Sequence, residues 1–184
     1  VGAARSLLLP PVRLPRDNLA VAVHAFWAAG LDLPDAALGE ALAAASATGR
    51  LESREIDWQG QRRRLLLDVG HNPHAAAFLA ESLAQQGQRP RVAVFGLLAD
   101  KDLPGVLAPL AGTFERWYVA PLPSPRSRSA HQLQQALEAT GEQVQSCASI
   151  AAALESALSE TSADTEIVIF GSFFCVADAI LWLS

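Results

Sequence analysis

Methionine is absent from the 184 residues and cysteine occurs only twice. A reading frame starts with methionine, so a chain opening Val1-Gly2-Ala3-Ala4-Arg5 is expected to be a processed product or a fragment. Cys147 and Cys175 are too few for a disulfide scaffold and match no zinc-ligand spacing, which points to a reducing, cytoplasmic setting with both thiols packed as small hydrophobes. Positive charge is also scarce. With 14 Lys+Arg against 19 Asp+Glu and a net charge of −5, no excess basicity exists to neutralise a phosphate backbone, and nucleic acid is excluded as a main partner. The longest apolar runs, 19–31 and 167–177, fall short of the ~18–20 residues of a membrane span, and the first residues lack the charged, apolar and cleavage segments of a signal peptide.

Several catalytic signatures are missing as well. There is no Gly-x-x-x-x-Gly-Lys-Ser/Thr to cradle a triphosphate, no Gly-x-Gly-x-x-Gly, no His-Glu-x-x-His and no Gly-x-Ser-x-Gly. The four histidines, 24, 71, 74 and 131, form no metal site by spacing, and His24, in an apolar helical stretch, reads as a packed core or interface residue. A self-sufficient ATPase, dehydrogenase or metalloenzyme is therefore not expected.

What is present, at 51% hydrophobic residues, is enough for one domain with an appendage. Residues 1–16, with Pro10, Pro11 and Pro15, read as an extended lead-in; helices follow from Asp17 to a stop at Gly30 and over 34–45. Thr48-Gly49-Arg50 breaks the pattern. Beyond it come a hairpin turned at Gln59-Gly60, strands over 65–69, 91–97, 115–120, 143–148 and 166–170, and helices over about 73–86, 103–112, 129–140, 149–160 and 173–183. This alternation predicts an α/β fold, Rossmann-like, with a mostly parallel sheet and helices on both faces.

Ligands of such sheets bind beyond the carboxyl ends of the strands, so the loops after the strands form one rim. That rim gathers Asp68, His71 and Asn72; Asp100, Lys101 and Asp102; Arg126 and Arg128; and Ser172. Cations facing carboxylate and Asp100 or Asp102 facing ammonium would suit a zwitterion, although solvated loop charges would look the same. His71-Asn72-Pro73 reads as a helix start with Asn72 as cap, whether or not its free amides also serve an anion.

The segment Asp68-Val69-Gly70-His71-Asn72-Pro73-His74-Ala75-Ala76 resembles the Asp-x-Ala-His-Asn-Pro-His-Ala-Ala run of the dihydrofolate synthase/folylpolyglutamate synthase family, within the Mur ligase superfamily. The resemblance continues through Phe95-Gly96-Leu97-Leu98-Ala99-Asp100-Lys101-Asp102, through Trp117-Tyr118-Val119-Ala120-Pro121-Leu122 with Pro125-Arg126, and through Phe170-Gly171-Ser172-Phe173. Upstream, Leu14-Pro15 with Asp17-Asn18-Leu19-Ala20, and then Gly49-Arg50, are similar to the end of that family's central ATPase domain and its linker.

The resemblance implies that residues 1–47 are the last helices of a central ATPase domain and residues 48–184 a glutamate-ligase C-terminal domain. It implies ATP and Mg2+, with the phosphate loop and magnesium ligands in an N-terminal part outside this sequence, and L-glutamate with dihydropteroate or a folate as substrates. The full-length enzyme is expected to be a monomer and this chain alone inactive. Residue by residue, Asn18, Arg50 and Asp68 match ATP contacts, Asp68 on the ribose; His71 and Ser172 match positions at the incoming glutamate. Asn72, Asp100, Lys101 and Arg126 are further rim candidates, and no metal ligand or catalytic residue falls in this chain.

The family often continues Gly-Ser-Phe with His-Thr, where Phe174-Cys175 stand here, and the turn over 57–64 looks longer than usual. Another Mur-type amino-acid ligase and a noncatalytic amino-acid-binding module are the alternative readings. The apolar faces of 1–45, read as built to pack on an absent sheet, predict that the chain exposes hydrophobic surface or dimerises; hydrophobic-dye binding or sedimentation showing a dimer is the expected outcome, and a dye-negative monomer would contradict it.

Overall fold

Residues 6–10, 14 and 16–184 are described by a computed structural model, in which the chain divides into two units, Val1–Thr48 and Gly49–Ser184. Of the expected lead-in, residues 6–10 carry no regular structure, and Pro11 and Pro15 lie outside the described residues. The first unit holds α1 (Arg16–Ala28) and α2 (Asp35–Ala43), each with an aspartate in its first turn, where the helix dipole favours negative charge. Gly30 follows α1 with φ +74°, its N–H donating to the Trp27 carbonyl. His24 is not a core residue. It is exposed, edge-on to Trp27 at 5.9 Å, because the buried stripe of α1 runs through Leu19 and Val23 instead. Val21, Leu31 and Leu33 are exposed.

The second unit opens with a hairpin, β1 (Glu52–Trp58) and β2 (Gln61–Asp68), paired antiparallel from Glu52↔Leu67 to Trp58↔Gln61. Its turn is tight rather than long: Gln59 and Gly60 have φ of 53° and 78°, the left-handed pair a two-residue type I′ turn requires, and the Gly60 N–H donates to Asp57 at 3.0 Å. Of residues 57–64, only Gln59 and Gly60 lie in the turn and the others belong to the strands.

Strand and helix then alternate through α3 (Pro73–Gln85), β3 (Arg91–Phe95), α4 (Leu103–Leu107) with a 3-10 turn at Ala108–Leu110, β4 (Arg116–Val119), α5 (Ala130–Glu138), β5 (Val144–Ser146), α6 (Ile150–Glu160), β6 (Glu166–Phe170) and α7 (Phe173–Leu183). The sheet order is β1-β2-β6-β3-β4-β5, with β2 through β5 parallel. Strand alternation divides the core. Leu66, Ala93, Phe95, Trp117, Val168 and Phe170 meet α3, α4 and α5, while Leu65, Leu67, Val92, Val94, Ile167 and Ile169 meet α6 and α7. No helix among the described residues is long and apolar enough to cross a membrane.

The amino ends of the strands are closed by ion pairs. Glu166, 5% exposed, receives Arg91 Nε at 2.9 Å and Arg89 at 3.5 Å, which fixes the Arg91↔Glu166 register of β3 and β6. Arg63 of β2 donates to the Leu158 carbonyl and to Thr161 Oγ1 at the end of α6, where the helix dipole favours a cation.

The carboxyl ends are closed by backbone contact. Gly171, at φ +108°, lies so close to β3 that a Cβ there would collide with the Gly96 carbonyl oxygen and stand 2.7 Å from the Phe95 ring. Both the φ and the backbone neighbour demand glycine. Gly171→Ala is expected to cost about 2–4 kcal/mol, combining a disallowed φ with a clash that cannot relax; urea unfolding measures it, and an unchanged midpoint would refute the reading.

Candidate functional site

Asp68 closes β2 and is 4% exposed, although its side chain carries a carboxylate. Two backbone amides hold it: the Gly70 N–H donates to Oδ1 at 2.6 Å and the Leu51 N–H to Oδ2 at 3.1 Å. The first bond needs the chain to double back at once. A Cβ on Gly70 would stand 2.5 Å from Asp68 Oδ1 and 2.9 Å from Ala75 Cβ, so a side chain there would require the carboxylate or α3 to shift. The second bond needs the turn at residues 49–51, where Gly49 and Leu51 have φ of 69° and 44°. That turn is closed by the Val69 N–H on the Gly49 carbonyl at 2.7 Å and the Gly49 N–H on Glu52 Oε2 at 2.8 Å. It brings Arg50 close enough for its charge to act on Asp68.

Burial pushes the Asp68 carboxyl above its ordinary value; the Gly70 and Leu51 amides, then Arg50 and His71, work against that rise without cancelling it. A carboxylate has about four acceptor sites and two are taken, leaving capacity for a ligand that brings hydroxyl donors. Glu52 ends below its ordinary value. Partial desolvation opposes ionisation there, and the Gly49 amide and Arg54 outweigh it.

His71 Nδ1 lies 2.9 Å from the Val69 carbonyl. With Nδ1 donating to that oxygen, Nε2 is the nitrogen left to meet a ligand. The next residue, Asn72, caps α3 as expected, its Oδ1 accepting from Ala75 N–H at 2.9 Å with Pro73 in the first turn. On the neighbouring strand, Ser172 is 3% exposed and caps α7, its Oγ accepting from Phe174 N–H at 3.2 Å while its own proton remains available to a ligand. The β2 and β6 loops meet where the His71 ring lies 6.3 Å from that of Phe173.

The loops after β3 and β4 form a second cluster. Asp100 pairs with Arg126 Nη2 at 3.0 Å and with Lys101 Nζ at 3.2 Å, and Arg126 followed by Lys101 lowers its carboxyl below the ordinary value. These three charges satisfy one another. Arg128 also departs from the expected ligand-facing role, because its Nη2 donates to the carbonyls of Ala99 at 2.9 Å and Lys101 at 2.8 Å, stapling one loop to the other. Asp102 caps α4 through the Gly105 N–H. Asn18 belongs to the first unit, exposed in the first turn of α1.

The structure thus groups Arg50, Asp68 and His71 around the end of β2, with Ser172 on the adjoining loop, and keeps Asp100, Lys101 and Arg126 as a separate paired cluster. Sequence reasoning missed the Leu51 amide as the second anchor of Asp68; Gly49 signals a turn there, but the left-handed Leu51 has no residue-type signature. Among the described residues no group of three or more His, Cys, Asp or Glu side chains gathers as metal ligands would. The arrangement suits a ligand with neighbouring hydroxyls for Asp68 and anionic oxygens for Arg50.

Comparison with known proteins bears on what that ligand is. Residues 49–173 match the family described as Mur ligase, glutamate ligase domain. The dihydrofolate synthase/folylpolyglutamate synthase of Escherichia coli K12 is 37% identical over 177 residues, 96% of this chain and 39% of its own length. The chain therefore spans about two fifths of the curated relatives it first matches. Among solved structures, E. coli FolC in complex with DHPP and ADP superposes with a TM-score of 0.78 at 34% identity, covering 94% of this chain and 40% of that one. The bifunctional folylpolyglutamate synthase/dihydrofolate synthase of Yersinia pestis, complexed with AMPPNP and Mn, gives 0.80 at 35% identity, covering 98% and 42%.

The raised Asp68 pKa has a measurable sign. Its folded form holds a proton at pH values where the unfolded chain, titrating near 3.8, has released it, so folding stability falls as pH rises from 3.8 through the folded midpoint. Subtracting the stability-pH curve of Asp68→Asn from that of the wild type is expected to isolate this decline; a difference curve that rises with pH over the same window would reverse the assignment.

Proposed function

The chain belongs to the Mur ligase family as its glutamate ligase domain, and from that premise we propose that it serves as the C-terminal part of an ATP-dependent ligase joining L-glutamate to dihydropteroate, to a folylpolyglutamate, or to both. The similar proteins carry folate names, and a further solved relative is described with Mn, AMPPNP and L-glutamate bound. Those names favour a folate over a peptidoglycan precursor.

In this reading residues 1–47 end a central ATPase domain, and the phosphate loop and Mg2+ ligands lie in an N-terminal part outside this sequence. The metal would neutralise charge on the nucleotide phosphates. The substrate carboxylate attacks the terminal phosphorus of ATP, forming an acyl phosphate and releasing ADP. The deprotonated amine of glutamate adds to the acyl carbon, and the tetrahedral intermediate collapses to an amide with loss of phosphate.

This chain's residues act by binding and orientation. Asp68 accepts the two ribose hydroxyls with the acceptor capacity its backbone bonds leave unused. Arg50, held beside it by the 49–51 turn, contacts phosphate oxygens, and Asn18 is a further nucleotide contact from the first unit. His71 Nε2 and the Ser172 hydroxyl orient the glutamate carboxylate so that its amine is free to attack. Asp100, Lys101 and Arg126 are additional rim positions, and the reaction runs in the cytoplasm on a monomeric enzyme.

The observation that carries this reading is the buried Asp68 carboxylate, partly unsatisfied and adjacent to Arg50, at the carboxyl end of a parallel strand. In the intact enzyme, Asp68→Ala or Arg50→Ala is expected to lower glutamate-dependent ADP release with dihydropteroate by about 100-fold, as loss of a buried charged contact does, while this chain alone releases none. Near-normal ligation in both variants would sink the assignment.

A further inference from the structure

Away from the rim, α4 with its 3-10 turn and α5 leave a groove of about 440 Å³ between them. Leu107 and Ala108 line it on one side and Ala136 and Leu137 on the other, the fully buried Trp117 lies behind them, and its one charged lining residue is Glu142. The volume falls in the range of small-molecule pockets, whose linings are mostly apolar with a few placed polar groups.

Glu142 is such a group. The Gly112 N–H donates to Oε1 at 2.8 Å and the Trp117 indole N–H to Oε2 at 3.1 Å, so the carboxylate is oriented from both sides while each oxygen keeps a further acceptor site. Gly112 precedes β4 and Glu142 precedes β5, which puts this acid at the amino ends of the strands, opposite the rim. An apolar slot ending in an acceptor-only anion is complementary to an apolar body ending in a cation, and repels an anionic one.

We propose that this groove binds a small amine with an aromatic or branched aliphatic body, its ammonium on Glu142 and its body between α4 and α5. The groove is also joined to the rim. α4 starts at the cap Asp102 directly after the Asp100-Lys101 loop, and α5 starts at the cap Ser129 directly after the Arg126-Arg128 loop. Those loops are tied to each other by the Ala99 N–H on the Arg126 carbonyl at 2.8 Å and by the Arg128 bonds. An occupant that separates α4 from α5 therefore displaces the Asp100–Arg126 pair. Neither claim depends on the ligase reading.

The test follows the Trp117 indole N–H resonance, assigned by Trp117→Phe, while phenethylamine, phenethyl alcohol or 3-phenylpropionate is titrated into the protein. Phenethylamine should bind saturably and at least about tenfold more tightly than 3-phenylpropionate, which has the same body and the opposite charge. Glu142→Gln should remove that preference while leaving the alcohol bound. Ala136→Trp should block all three, with Ala108→Phe on the facing wall as the alternative block if the first variant does not fold. Equal affinity for amine and acid, binding that survives both blocks, or a shift that follows protein concentration, which would mean a second copy fills the groove, each overturns the site. Movement of the Asp100 and Arg126 resonances with the same saturation supports the coupling, and their constancy overturns it.

Discussion

The two hydrogen bonds from the Gly70 and Leu51 amides to the Asp68 carboxylate tie the turn at residues 49–51, the end of β2 and the approach to α3 to one side chain. A carboxylate this buried is costly without donors, and the chain supplies them only by bending sharply on both sides of the strand. Those bends in turn fix what surrounds it. Arg50 is carried by one and His71 by the other. Removing the carboxylate would free the turn as well as alter the candidate site, so this side chain is also a structural tie.

The two ends of the sheet solve different problems. At the amino ends, the buried Glu166 is paired with two arginines, an arrangement that adds little net stability but penalises any other register of β3 and β6. At the carboxyl ends, glycine lets backbones touch and polar side chains keep hydrogen-bonding capacity in reserve. Ser172 illustrates this: its oxygen is occupied in capping α7 while its proton is not committed.

Much of this was legible in the residues. Alternating apolar strands with helical runs between them announce the parallel sheet, and Asn72-Pro73 announces the start of α3 as found. The motifs also located Asp68, His71 and Ser172 at strand ends. The features that escaped are those set by backbone conformation or by distant partners. Nothing marks Leu51 as left-handed, and Arg128 as a staple between two loops depends on carbonyls some thirty positions away. His24 lies outside the core because an apolar neighbourhood in sequence does not say which stripe of a helix is covered.

The sheet's two borders carry a consequence of their own. β1 alternates inward Ile56 and Trp58 with outward Glu55 and Asp57, while Arg54 bonds Glu52 and Arg62 reaches across to Glu55. β5, at the far border, is three residues long. A charged strand and a stub are poor templates for an incoming strand, so neither margin invites strand addition or edge-to-edge aggregation. Growth of the assembly by β-augmentation is closed off, and any macromolecular partner must be met through helices and loops, where side chains rather than exposed backbone choose it.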